Sequence, residues 1–183
     1  MQEKRMLSIE QALCALRKGQ VIAYPTESVY GMGCVATDQA AVAKLNAYKQ
    51  SPAGKGYIVL VGSSKAAMAL VCARSKAYLQ KHPRVLEGVT CVFPASGCAP
   101  IWCQLQGKIA LRISTHPMCI RLCKQLGQPL ISTSCNASGQ PVLMDSATIL
   151  QTFSHVAGVL QGPVGGLPPT KVIDVLTGRV FRA

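Results

Sequence analysis

The chain passes from an apolar segment into a polar loop at Val21-Ile-Ala-Tyr-Pro-Thr-Glu-Ser-Val-Tyr-Gly-Met-Gly33. The run Val21–Tyr24 is typical of a strand buried on both faces, and Pro25 ends it. The loop that follows carries the hydroxyl of Thr26, and its glycines permit close approach of the backbone. A polar loop at the end of a buried strand is a common place for a ligand in an α/β protein.

Helical and strand-like segments alternate on both sides of this stretch. Helical patterns, most of them beginning at a capping side chain such as Ser8 or Asp38, cover residues 8–19, 38–49, 63–73 and 115–127. Strand-like apolar segments cover residues 21–24, 58–61, 89–93, 109–113, 129–132, 156–160, 172–175 and 180–181. With no linker or repeat between them, residues 1–183 are predicted to form one α/β domain, a twisted open mixed sheet with flanking helices.

The composition limits the class of protein. Hydrophobic residues make up 49% of the chain and charged residues 14%, which excludes a disordered protein. No apolar run is long enough to cross a bilayer and no export signal precedes the first helix, so a cytoplasmic location without a membrane partner is expected. Nine cysteines without a C-x-x-C pair favour buried thiols in a reducing compartment over a metal site.

Nineteen Lys and Arg against seven Asp and Glu give a net charge of +12, which attracts polyanions such as nucleic acid. Two further polar loops follow apolar or helical segments. The first, residues 49–56, offers Lys49 and Lys55 beside glycines, either as phosphate ligands or as solvated lysines at a helix end. The second is Ser132-Thr-Ser-Cys-Asn-Ala-Ser-Gly139, whose hydroxyls suit a phosphate or a ribose, or only their own backbone.

Arg112 lies inside an apolar strand, where a guanidinium needs a carboxylate or phosphate partner. The chain resembles the YrdC/TsaC family of threonylcarbamoyl-adenylate synthases in five places: residues 21–33, the Lys49-Gln50 helix end, A-L-R-I at 110–113 followed by His116-Pro117, P-L-I-S-T-S-C-N-A-S-G at 129–139, and D-V-L-T-G-R-V-F-R at 174–182. The likeness extends over almost the whole chain, and the order of the Pro-Thr-Glu and Ser-Thr-Ser-x-Asn loops makes it specific.

This resemblance implies a nucleotidyltransferase that makes threonylcarbamoyl-AMP and pyrophosphate from L-threonine, bicarbonate or CO2, and ATP, with Mg²⁺ carried by ATP. A tRNA threonylcarbamoyl transferase complex then modifies adenosine 37 of tRNAs that read ANN codons. By the same resemblance, the threonine ligands are Thr26, Arg112, Ser132 and Thr170. The ATP ligands are Lys49, Ser51, Lys55, Ser134, Asn136 and Arg182.

The family carries an arginine where this chain has Ser51, and Lys55 is the hypothesised replacement for its charge. No side chain is expected to act as a dedicated acid or base, because alignment and charge neutralisation suffice for this chemistry. Two alternatives stay open at this point. One is a non-catalytic basic RNA-binding protein of the same fold, and the other is a carbamoyl-adenylate role like that of YrdC-like domains in hydrogenase maturation.

Overall fold

A computed structural model describes residues 5–50 and 56–183. The helices are α1 (Ile9–Arg17), α2 (Gln39–Lys49), α3 (Ser64–Met68), α4 (Ala73–Lys81), α5 (Pro117–Leu126) and α6 (Ser146–Thr152). The strands are β1 (Met6–Leu7), β2 (Ile22–Pro25), β3 (Tyr30–Gly33), β4 (Ile58–Leu60), β5 (Thr90–Pro94), β6 (Gln104–Leu105), β7 (Lys108–Arg112), β8 (Leu130–Ser134), β9 (Val159–Leu160), β10 (Val172–Asp174) and β11 (Val180–Arg182).

The strands form one mixed sheet in the order β1-β9-β2-β3-β8-β4-β7-β5-β10-β11, with β6 beside β7. The sheet contains parallel pairs, such as β4 with β7, and antiparallel pairs, such as β2 with β3. The prediction of an α/β fold with a mixed sheet is therefore confirmed. Strand β8 lies between β3 and β4 and is antiparallel to both.

Both faces of the sheet are covered, and β2 shows why its sequence is apolar throughout. Val21 and Ala23 pack into one hydrophobic cluster together with α2. Ile22 and Tyr24 pack into a second cluster together with α1 and α5. Successive residues of a strand point to opposite faces, so a strand covered on both sides is apolar at every position.

The predicted helix starts depend on local hydrogen bonds that the structure contains. Ser8 and Gln11 form a reciprocal capping box, in which the Ser8 amide donates to Gln11 Oε1 over 2.8 Å. Asp38 Oδ1 accepts from the Ala41 amide over 3.0 Å at the start of α2. Gly127, in the left-handed region at φ 69°, ends α5.

Two predicted helix boundaries were wrong. The helix that begins after Ser63 ends at Met68 rather than at Ala73, because the backbone at Val71 instead pairs with Ala95 beyond the end of β5. Thr115 does not cap α5. The N-cap is His116, which makes no side-chain capping bond. The helix begins one residue later at Pro117, because the fixed φ of proline suits the first helical position.

The polar loop predicted from Tyr24 to Gly33 is shorter than expected, since Tyr30–Gly33 forms β3 and pairs with both β2 and β8. Glycine is required here for packing: a Cβ on Gly33 would lie 1.8 Å from the Ile131 carbonyl oxygen. The strand was overlooked because glycine disfavours strands in general. At this position the close approach of β8 outweighs that preference.

All nine cysteines are free, and six of them are buried, among them Cys34, Cys91 and Cys103. Burial raises the pKa of the Cys103 thiol to about 12, so this thiol stays protonated at neutral pH. Its role is that of a small apolar side chain.

Candidate functional site

A cavity of about 540 Å³ opens where β7, β8 and the β2–β3 hairpin end. Six residues that the sequence predicted for the site line it together: Thr26, Arg112, Ser132, Ser134, Thr170 and Arg182. The sheet register helps to bring them together. Gly31 of β3 pairs with Ser134 of β8, and Ile58 of β4 pairs with Ser132 on one side and with Ala110 of β7 on the other.

Two predicted site residues, Lys49 and Asn136, are joined to the wall of this cavity rather than lining it, through the loop after β8. The other two, Ser51 and Lys55, lie outside the described residues.

Arg112 ends β7 and is only 7% exposed. Its Nη1 donates to Thr170 Oγ1 over 2.8 Å and lies 3.3 Å from Glu27 Oε1. The sequence argument required an anionic partner for this guanidinium, and the structure supplies one from the chain itself. Among the described residues no hydrogen-bond acceptor reaches Arg112 Nε.

Glu27 is a residue of this site that sequence reasoning missed. It is 5% exposed, and its second oxygen, Oε2, accepts a hydrogen bond from Ser114 Oγ over 2.5 Å. The sequence held one indication: Glu27 is one of only seven acidic residues, and it lies in the loop that follows β2. A buried carboxylate is retained where a cation meets it, and here that cation is Arg112.

A second guanidinium, that of Arg182 on β11, also converges on Thr170. Its Nε and Nη2 donate to the Thr170 carbonyl oxygen over 2.9 Å and 2.7 Å. Burial, and then the charge of Arg112, lowers the pKa of Arg182 below its usual value. Two like charges that share one threonine favour an anionic ligand in the cavity between them.

The hydroxyl of Thr26 stabilises its own loop. Thr26 Oγ1 donates to the Val29 carbonyl oxygen over 2.6 Å and accepts from the Ser28 amide over 3.2 Å. The loop is also held from outside, because the amides of Gly165 and Leu167 donate to the carbonyl oxygens of Thr26 and Glu27. Thr26 thus both lines the cavity and fixes the shape of its rim.

Of the two interpretations considered for Lys49, that of a solvated lysine at a helix end is wrong, because the residue is only 1% exposed. Nζ donates to the Ser134 carbonyl oxygen over 2.5 Å, to the Asn136 carbonyl oxygen, and to Asn136 Oδ1 over 3.3 Å. Asn136 Oδ1 also accepts from Ser134 Oγ over 2.6 Å. The lysine at the end of α2 therefore fixes the hydroxyl-bearing loop that follows β8.

Within residues 5–50 and 56–183, no three His, Cys, Asp or Glu side chains come together as metal ligands. In the same part of the chain, no helix has both the length and the apolar character needed to span a bilayer.

Comparison with known proteins gives a consistent result. Residues 14–183 match the model of the Sua5/YciO/YrdC family, which is described as "Telomere recombination". A threonylcarbamoyl-AMP synthase of Vibrio cholerae is 37% identical over 182 residues, which is 96% of this chain and 96% of that protein. A threonylcarbamoyl-AMP synthase of Pseudoalteromonas translucida is 36% identical over 96% of this chain and 97% of its own length.

Two solved structures share the fold. P. abyssi Sua5 complexed with L-threonine has a TM-score of 0.81 at 25% identity, over 92% of this chain and 51% of that one. E. coli YciO has a TM-score of 0.80 at 24% identity, over 98% of this chain and 95% of that one. The family match, the near-complete coverage of the curated relatives and the shared fold together show that this chain belongs to the Sua5/YciO/YrdC family.

Proposed function

We propose that this protein is a threonylcarbamoyl-AMP synthase, a nucleotidyltransferase that uses L-threonine, bicarbonate or CO2, and ATP. The observation that carries the proposal is the convergence of Arg112 and Arg182 with the serines of β8 on one cavity. Relatives at 36% and 37% identity over nearly the whole chain bear this name, and P. abyssi Sua5 has been solved with L-threonine.

Arg112 is the residue we assign to the carboxylate of threonine. Thr170 and Glu27 engage its Nη1, whereas its buried Nε has no acceptor among the described residues, and we assign the carboxylate to the Nε–Nη2 edge. The amine of the bound threonine attacks CO2 to form a carbamate and releases a proton. A carbamate oxygen then attacks the α-phosphorus of ATP, and the bond from that phosphorus to the pyrophosphate leaving group breaks.

We assign the nucleotide to the loop after β8, where Ser134 and Asn136 present side-chain polar groups and Lys49 supplies a fixed positive charge. Charge that develops on the phosphates is stabilised best by groups that do not need to reorganise. Arg182 extends this positive charge to the other wall of the cavity. Mg²⁺ enters with ATP, because it prefers phosphate oxygens and water as ligands.

Ser51 and Lys55 complete the proposed ATP site from outside the described residues. Lys55 is proposed to supply part of the charge of the family's arginine, since serine at position 51 offers neither charge nor reach. The substitution Lys55→Ala is therefore expected to weaken ATP binding, as measured by calorimetric titration. Unchanged ATP affinity would remove this loop from the phosphate site.

The decisive experiment is mass spectrometric detection of threonylcarbamoyl-AMP after incubation of the protein with all three substrates. Omission of threonine, bicarbonate or ATP in turn should abolish the product, and pyrophosphate should form in equal amount. Absence of product from protein that binds ATP would reject the proposed reaction.

The net charge of +12 favours a second candidate, a basic protein of this fold that binds RNA without catalysis. The two candidates separate cleanly, because only the synthase consumes ATP in a threonine-dependent manner. Direct tRNA binding is compatible with both, and so is delivery of the product to a tRNA threonylcarbamoyl transferase complex. Such binding should fall steeply between about 50 and 200 mM salt, because counterion release drives it.

A further inference from the structure

Arg112 is held by a chain of buried polar groups that lies behind the cavity. Ser114 Oγ donates to Glu27 Oε2 over 2.5 Å, and Glu27 Oε1 lies 3.3 Å from Arg112 Nη1. Ser114 Oγ accepts in turn from the His116 amide over 3.1 Å, at the start of α5. The chain thus connects a helix start, a loop and the end of β7.

Glu27 and Ser114 are not among the residues that line the cavity, whereas Arg112 is. The side chain of Glu27 reaches the cavity lining through its ion pair with Arg112, and its backbone does so through the neighbouring Thr26 and Ser28. Oε2 accepts a hydrogen bond from the Ser114 hydroxyl, whereas Oε1 receives no hydrogen bond from a described residue and meets Arg112 only as an ion pair. A carboxylate fixed at one oxygen can define the orientation of the cation that it meets at the other.

This contact lies on one nitrogen of the Arg112 guanidinium, Nη1. Nη1 is engaged by Thr170 Oγ1 at 2.8 Å and by Glu27 at 3.3 Å. Nε, by contrast, is buried and meets no acceptor within the described residues. Nε and Nη2 form the side-on fork of a guanidinium, whose two parallel donors match a carboxylate.

We propose that Glu27 is a positioning residue: supported by Ser114, it fixes the Arg112 guanidinium so that the Nε–Nη2 edge binds the carboxylate of the amino-acid substrate. This inference rests on the proposed function, because it takes the ligand of Arg112 to be an amino acid. Glu27 also partly neutralises Arg112, and so reduces the repulsion between Arg112 and Arg182 while the cavity is empty.

The test uses two variants that alter the contact in different ways. Glu27→Gln keeps the size of the side chain and removes its charge, whereas Ser114→Ala keeps the carboxylate and removes its support. The Ser114→Ala variant keeps the inference testable if Glu27→Gln fails to fold. Glu87→Gln is the matched control, since the Glu87 side chain pairs with Arg84 at the exposed surface and does not line the cavity.

For each protein, the KM for threonine and the KM for ATP are measured, and the Arg112 Nε–H signal is recorded by NMR without ligand. We expect Glu27→Gln to raise the KM for threonine about tenfold and Ser114→Ala about threefold. The KM for ATP should change less than about twofold in both. The Arg112 Nε–H signal should shift or broaden in both variants and stay unchanged in Glu87→Gln.

A purely structural Glu27 would raise both KM values together, and that result would overturn the inference. An Arg112 Nε–H signal that is identical in wild type and Glu27→Gln would overturn it as well, whatever the protein catalyses. Failure of the proposed function gives a different pattern: the wild type would form no threonylcarbamoyl-AMP, while the Arg112 signal would still depend on Glu27.

Discussion

Replacement of Lys49 by methionine tests the most buried charge of the site. The substitution keeps the length of the side chain and removes three donated hydrogen bonds, to the Ser134 carbonyl oxygen and to two oxygens of Asn136. Each of the three hydrogen bonds contributes about 1 kcal/mol to stability, although the Ser134 carbonyl oxygen keeps the Asn136 amide as a donor and Asn136 Oδ1 keeps Ser134 Oγ. The free energy of unfolding should fall by about 3 kcal/mol, which in a domain of this size lowers Tm by about 6–12 °C.

The assay is thermal unfolding followed by circular dichroism, combined with calorimetric titration of ATP. Lys44→Met is the matched control on the same helix, because Lys44 donates one hydrogen bond, to the Gly19 carbonyl oxygen over 3.0 Å. It should lose less than about 1 kcal/mol. ATP affinity should fall in Lys49→Met alone, since the loop after β8 loses its anchor. A Lys49→Met protein that melts within about 2 °C of wild type would refute the reasoning.

Three further predictions concern other parts of the site. Arg112→Ala should weaken threonine binding about ten- to a hundredfold while ATP binding changes little; equal threonine affinity in a calorimetric titration would make Arg112 structural. Gly33→Ala should abolish cooperative thermal unfolding, because the added Cβ would lie 1.8 Å from the Ile131 carbonyl oxygen. The control Gly97→Ala should keep the wild-type Tm, because a Cβ at that position meets nothing within 4 Å. Ser51→Arg should tighten ATP binding about tenfold by adding a charge-assisted contact, and a calorimetric titration without such a gain would contradict the proposed phosphate site.

The sequence predicted the architecture well where local chemistry decides it. The capping box at Ser8, the N-cap at Asp38 and the left-handed Gly127 each depend on residues within one turn, and all three were found. The predicted element boundaries were wrong where backbone from a distant part of the chain pairs with the segment. The turn at Val71 follows from its bridge to Ala95, and Tyr30–Gly33 becomes a strand because two neighbours pair with it. Neither contact leaves a trace in the local sequence.

In the site, too, the features set by local sequence were predicted and those set by distant contacts were not. Arg112 could be selected because a guanidinium inside an apolar strand requires an explanation. The partners of Arg112 could not be predicted, since Glu27 and Thr170 come from loops far away in the chain. Lys49 illustrates a further difficulty: the sequence placed it correctly at the end of α2, yet only the fold shows that its ammonium turns inward to the loop after β8.

Strand β8 carries both serines of the cavity and is hydrogen-bonded on its two sides, to β3 and to β4. Neither edge of β8 is therefore available to fray, and its amide protons can exchange with solvent only when the centre of the sheet opens. Partners so distant along the chain also make the sheet slow to assemble, because long loops must close before these strands can pair. As a result, the serine wall of the cavity persists through local fluctuations, and on heating it should be lost together with the sheet as a whole.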